Sequence, residues 1–182
     1  MRPIFTLHAG EFLVGEYIEK TYRTLNVWIP SKDTGIDLLV TNASTSSMVS
    51  LQVKLSRDYK PAEAISTFDH MAYAQGWLTL SHKKIAASTA DQWVFVVVSH
   101  ERTFRPQFIV LPPSELLRRL VAVHGESERY NFYPWVTKSG VALDGRGLSP
   151  AEKEAFAEGV LELGERDLSP FLNNWEAINK IL

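Results

Sequence analysis

Two runs in the N-terminal third alternate apolar and polar positions with a period of two. One is Thr34-Gly35-Ile36-Asp37-Leu38-Leu39-Val40 and the other is Val49-Ser50-Leu51-Gln52-Val53-Lys54-Leu55-Ser56. Such alternation marks strands with one buried face. The link between them, Asn42-Ala43-Ser44-Thr45-Ser46-Ser47, carries turn chemistry. A β-hairpin is therefore expected, with strands over 36–42 and 49–56. Upstream, Leu13, Val14, Tyr17, Ile18, Tyr22 and Leu25 recur at helical spacing and predict a helix over 11–25 with one broad apolar stripe. A short strand over 26–30 follows, ended by Pro30.

Downstream, Ala62, Ile65, Phe68, Met71 and Ala72 fall on one helical face and predict a helix over 61–75, broken by Gly76. Residues 77–80 read as a short strand. Trp93 to Val98 is a continuous apolar run, the mark of a strand buried on both faces, and the expected strand covers 92–99. Another strand is expected over 107–111, stopped by Pro112-Pro113, with Ser114 capping a helix through Leu120. Ser149-Pro150-Ala151-Glu152 predicts a capped helix to about Leu163. A terminal helix over 171–182 should bury Phe171, Trp175, Ile178 and Leu182. Strands followed by helices around one apolar run predict a three-layer α/β/α arrangement with a mixed central sheet, in one domain over 1–182 that ends in a helical elaboration over about 149–182.

The strand period has a chemical consequence. Joining Ile36, Leu38 and Val40 to Leu51, Val53 and Leu55 in one apolar face places Asp37, Gln52 and Lys54 together on the other. From the residues alone this is either the polar side of a half-exposed hairpin, with a weak cross-strand ion pair, or a site. Glu16 and Glu19 flank opposite edges of the 11–25 stripe, and either can lean over a neighbouring sheet. Arg57 and Lys60, with Lys54, form a solvated edge or a phosphate-contacting rim. His82-Lys83-Lys84 form a surface turn or a substrate-facing group.

Composition narrows the chemistry. The chain has 182 residues, 45% hydrophobic and 22% charged, as an ordinary globular protein has. It has no cysteine, which excludes disulfides, thiolate metal sites and cysteine nucleophiles. His8, His70, His82, His100 and His124 are too far apart in sequence for a local zinc motif, so any metal should be held by oxygen. A formal net charge of -2 argues against a protein coated in basic residues, while allowing one basic groove. No long apolar run and no signal peptide is present, so a cytoplasmic protein without membrane association is expected. There is no GxSxG elbow for a serine hydrolase. Gly140 to Gly147 does not link a strand to a helix as a phosphate-cradling loop does.

Asp37, then Gln52-x-Lys54 between apolar strand residues, resembles the PD-(D/E)xK nuclease superfamily in its D…QxK form, found in some methyl-directed restriction enzymes. A longer ordered series resembles a group of small, functionally uncharacterised bacterial proteins of that superfamily. It comprises Gly15-Glu16, Gly35 to Asn42, Leu51 to Lys54, Gly76 to Lys84, Trp93 to Val97 and Phe108 to Pro112. The resemblance covers roughly residues 10 to 120 and implies a restriction-endonuclease-like fold and a metal-dependent nuclease, acting in restriction, defence or repair. It implies Asp37 and Glu16 as metal ligands, with the Gln52 side-chain carbonyl and the Val53 main-chain carbonyl completing an oxygen set for Mg2+ or Mn2+. Lys54 would position water or steady the charge of the transition state. Arg57, Lys60, His82, Lys83 and Lys84 would meet the substrate, nucleic acid and in the first place DNA, with a homodimer left open. Gln52 departs from the commoner pattern by replacing an acid. That keeps a second reading, a catalytically inert nuclease-like module binding nucleic acid or a protein partner.

Overall fold

The structure, a computed structural model, describes residues 8–32, 35–56, 67–98 and 105–182. The chain opens with α1 (Ala9–Thr21) and runs through β1 (Asn26–Trp28), β2 (Leu38–Thr41) and β3 (Met48–Leu55). Then come α2 (Thr67–Met71), β4 (Ala72–Gln75), β5 (Leu78–Ser81), α3 (His82–Ala86), β6 (Gln92–Val97), β7 (Gln107–Leu111) and α4 (Pro113–His124). The chain continues with β8 (Arg129–Phe132), β9 (Pro134–Thr137), β10 (Ala142–Asp144), α5 (Pro150–Ala157) and α6 (Glu176–Asn179).

The protein is mixed α/β, built on a five-stranded sheet in the order β1-β2-β3-β6-β7. β2 and β3 form the expected antiparallel hairpin, with Leu38 opposite Leu51 and Val40 opposite Val49. Its turn is closed by Asn42, whose side-chain oxygen accepts the amides of Ser46 (3.0 Å) and Ser47 (3.3 Å). β3 pairs with β6 in parallel, and β6 with β7 in antiparallel. Ser50 and Asp91 lock the start of the parallel pair: the Asp91 carboxylate accepts both the amide and the hydroxyl of Ser50, at 2.8 and 2.7 Å.

The apolar run of β6 divides by parity. Val94 and Val96 join Leu38, Val40, Val49, Leu51, Val53, Phe108 and Val110 on one face, covered by Val14 and Ile18 of α1 and by Trp175 and Ile178. Trp93, Phe95 and Val97 join Ile109 and Leu111 on the other, covered by Ile85, Leu116, Leu120, Tyr130 and Phe132. This is the burial on both faces that the run predicted. Two small sheets, β10-β9-β4 and β5-β8, flank the second face. A third cluster, Phe68, Trp135, Leu143, Leu148 and Phe156, lies between α2, α5 and the three-stranded sheet. Among the described residues no helix is long and apolar enough to cross a membrane.

Several expectations need correction. Residues 72–75 of the expected 61–75 helix are strand β4, because they pair with β9 from more than sixty residues later; tertiary pairing overrides local spacing. α4 starts at Pro113 after Pro112, so Ser114 lies inside the helix and does not cap it. Ser149 and Glu152 do form the capping box, but α5 ends at Ala157, with Gly159 in the left-handed region at φ +76. The expected 171–182 helix is a 3-10 turn (Ser169–Phe171) followed by the short α6. Trp175 and Ile178 are buried as expected, while Leu182 is 62% exposed. Ile36 packs toward the second face and not with Leu38 and Val40, because the regular ladder begins only at Leu38.

Candidate functional site

The site begins where β2 falls away from β3, which stays paired with β6 on its other edge. Ladder pairing runs from Thr41 to Leu38, and one further backbone bond, from the Asp37 amide to the Leu51 carbonyl at 2.8 Å, holds the chain as it leaves. Gly35, at φ +88, sits in the left-handed region that non-glycine residues avoid and turns the chain away. The Asp37 side chain then takes the place of the missing strand. Its Oδ2 accepts the Val53 amide at 2.7 Å and the side-chain amide of Gln52. Residues in a strand present N–H and C=O to the same edge, so the Val53 carbonyl also faces this open edge.

Gln52 is 7% exposed, and its partner one residue pair along, Lys54, projects from the same face of β3. The Lys54 ammonium lies 5.8 Å from the centroid of the Trp93 ring on the neighbouring β6, a cation held against an aromatic face. Lys54 forms no ion pair among the described residues. Trp93 is in turn fixed by its indole N–H to Ser88 Oγ at 2.9 Å.

α1 closes the same edge from the other side. A Cβ on Gly10 would stand 2.9 Å from the Leu55 Cβ and 3.3 Å from Val53 Cγ1, so the first turn of the helix can reach β3 only with glycine there. That contact delivers the next residue, Glu11, into the wall. Glu11 is 7% exposed, and its Oε2 accepts the His8 amide at 3.0 Å as half of a capping box.

Together these residues line a cleft of ≈ 1090 Å³. Asp37, Gln52, Val53, Lys54 and Glu11 line it, and so do Ser81, Lys84, Ser88 and Arg129. Asp37, Gln52 and Lys54 thus meet, as the strand parity predicted. Glu16 does not join them: it is half-exposed and pairs with Lys20 one turn later at 2.7 Å. Glu19 is exposed and also stands outside the cleft. The acid that α1 supplies is Glu11, five residues before Glu16.

Of the basic series, Lys84 lines the cleft, whereas Lys83 is exposed outside it. His82 also stands outside, stacked on Tyr130 with Nδ1 3.2 Å from the phenol oxygen. Arg57 and Lys60 lie outside the described residues. Arg129 escaped the sequence reading because β8 reaches the cleft only by pairing with β5, with Arg129 opposite Ser81. Glu11 carried a local signal, a first-turn acid three residues after His8, which marks a helix start and says nothing of a cleft.

Among the described residues no group of three or more His, Cys, Asp or Glu side chains is arranged to hold a metal ion. Comparison with protein-family models, with curated proteins and with solved structures returns no match.

Proposed function

We propose that this protein is a divalent-metal-dependent nuclease of the PD-(D/E)xK type, hydrolysing phosphodiester bonds of nucleic acid. The observation that carries this reading is the convergence of Asp37, Gln52, Val53 and Lys54 with buried Glu11 in one cleft. The mixed sheet, with β3 antiparallel to β2 and parallel to β6 and with α1 over one face, is compatible with a restriction-endonuclease-like core.

The donors suit a hard cation such as Mg2+ or Mn2+. Oδ1 of Asp37 takes no hydrogen bond among the described residues, Glu11 supplies a second carboxylate, and the Val53 carbonyl faces the same open edge. Two carboxylates replace the larger acidic cluster that is absent among the described residues, so carbonyl oxygen would have to complete the set. Gln52 now offers its amide N–H to Asp37, and it would present oxygen only after turning that amide over. A divalent ion bound there would supply Lewis acidity and a source of hydroxide.

The chain's own groups divide the remaining work. Lys54, fixed over Trp93, is a preorganised positive charge for a phosphoryl oxygen as negative charge builds on it. Lys84 and Arg129, which also line the cleft and are in no ion pair among the described residues, would contact neighbouring phosphates and set the strand's position. The inert-module reading draws on one specific feature, the hydrogen bonds from Gln52 and Val53 that already occupy one Asp37 oxygen.

Purified protein should cut DNA or RNA with magnesium or manganese and stop in a chelator. Asp37→Asn, which removes charge at constant volume, should lower cleavage at least about 100-fold with little change in folding. Absence of cleavage on single-stranded, duplex and branched substrates, with no calorimetric signal for manganese, would replace the nuclease with the binding module.

A further inference from the structure

β5 and β8 form a two-stranded antiparallel ribbon whose two faces differ in kind. Leu80, Tyr130 and Phe132 are buried and pin its inner face to the core. The outer face carries Thr79, Ser81, Arg129 and Asn131, all polar, in two cross-strand pairs, with Thr79 opposite Asn131 and Ser81 opposite Arg129. Thr79, Arg129 and Asn131 are exposed, and Thr79, Ser81 and Arg129 line the cleft itself. A core-anchored polar ribbon therefore belongs to the surface that a bound strand would meet.

The Thr79–Asn131 pair suits one kind of partner. The Thr79 hydroxyl donates to the Asn131 side-chain oxygen at 3.3 Å, which orients the amide on the ribbon. Both amide hydrogens and one lone pair of that oxygen are then left without a partner among the described residues. A donor beside an acceptor on one planar group matches adenine, whose N7 accepts and whose N6 amino group donates in the major groove. The threonine methyl, on the neighbouring strand, matches the thymine methyl of the same base pair. A G·C pair has no methyl, and guanine shows two acceptors where adenine shows an acceptor and a donor.

Arg129 supplies the register. It stands two residues along β8 from Asn131, about 7 Å of strand, which is close to two steps of about 3.4 Å along a nucleic-acid strand. With Arg129 on a phosphate, Asn131 is within reach of a base edge one or two steps away. A two-stranded ribbon is also narrow enough to enter the major groove of a duplex, and this face carries no aromatic ring on which an unpaired base could stack. Resting on the nucleic-acid reading of the cleft, we propose that the Thr79–Asn131 pair reads an A·T base pair through the major groove, so that the substrate is duplex DNA selected by sequence. Arg129 positions the duplex, and Asn131 specifies the base.

The test is binding of the whole chain to a pool of randomised duplex DNA, in chelator so that nothing is cut, with sequencing of the bound fraction. That fraction should be enriched about 5- to 150-fold in A·T at one position, the discrimination given by one bidentate base contact. A selected duplex with 7-deazaadenine at that position, which lacks the N7 acceptor, should bind the unaltered protein about as weakly as one with G·C there. Asn131→Ala should lose the preference, binding the selected duplex as weakly as the parent binds the G·C one, and should be blind to the 7-deaza change. Arg129→Ala should weaken binding to every sequence alike and keep the preference for A·T, which separates reading from a general disturbance of the ribbon. A bound pool with no preferred base, Asn131→Ala with the parent's preference, or tighter binding of single strands than of duplex overturns the reader and leaves the nuclease proposal standing. If neither duplex nor single strand binds, the nucleic-acid reading falls and the reader with it.

Discussion

Under the nuclease proposal Gln52 is the residue on which the chemistry would turn, because it stands where a further carboxylate would raise the charge of the site. Its side chain is buried and donates to Asp37, so its present role is to satisfy an acid as well as to neighbour it. Gln52→Glu would set two carboxylates against each other. Without metal, the variant should be less stable than the parent by about 1–3 kcal/mol at neutral pH, the usual cost of an uncompensated buried polar change. With manganese the order should invert, and calorimetry should find binding tighter by about 10-fold or more. Melting curves with and without the ion check both halves. If manganese fails to restore the variant's stability, Asp37 and position 52 do not share an ion. Asp37, Gln52 and Lys54 were legible in sequence because a period of two puts residues 52 and 54 on one face whatever else the chain does. Glu11 was not. A helical wheel leaves Glu16 and Glu19 open and the resemblance chooses Glu16, but height along the helix decides which glutamate reaches β3, and the Gly10–Leu55 approach sets that height.

At the scale of elements, legibility followed the range of the interactions. The hairpin, β6 and β7 declare themselves by alternation or by an unbroken apolar run, and the hairpin pairs as read, whereas the parallel β3–β6 and antiparallel β6–β7 pairings carry no local signal. β4 had helical spacing and became a strand because β9 offered it a partner. β8, β9 and β10 were missed because each is only three or four residues long, too short for a period to register. The junction between β4 and β5 yields a prediction at this scale. Gly76→Ala places a methyl against Ser56 and Pro134, the latter's backbone already bound by the Gly76 amide at 2.8 Å. Little there can yield, so the midpoint of urea unfolding should fall by an amount equivalent to about 1–3 kcal/mol. An unchanged midpoint would mean that the β4–β5 junction adjusts freely.

The whole molecule is tied across its sequence by a polar network as well as by its core. Glu115 on α4 accepts from Arg118 and Arg119, and both arginines reach Glu165, with Arg119 also donating to the carbonyls of Glu165 and Asp167. Hydrogen bonding from Arg118 and then Arg119 outweighs the opposing effect of burial and lowers the Glu115 carboxyl from 4.5 to about 2. A carboxyl depressed on folding stabilises the native state fully above its unfolded value, and that contribution fades as pH falls from 4.5 toward 2. Glu115→Gln should therefore cost about 1 kcal/mol at pH 7, allowing for solvent screening, and the difference from the parent should shrink as the pH is lowered through that window. Urea midpoints measured from pH 7 to pH 2 test it, and a gap that stays constant would show that the carboxylate's charge is not what the arginines use.

The parallel pairing of β3 with β6 also dictates an order of assembly in time. The hairpin of β2 and β3 closes a short loop and can form within microseconds, but its neighbour β6 follows only after residues 56–91 have been made. Closing so long a loop is the slow kind of step in folding. During synthesis on the ribosome, the strand bearing Gln52 and Lys54 emerges well before the Trp93 ring that holds the Lys54 ammonium. A nascent chain therefore carries the acid and the amine while lacking the scaffold that aims them, until synthesis has passed residue 97.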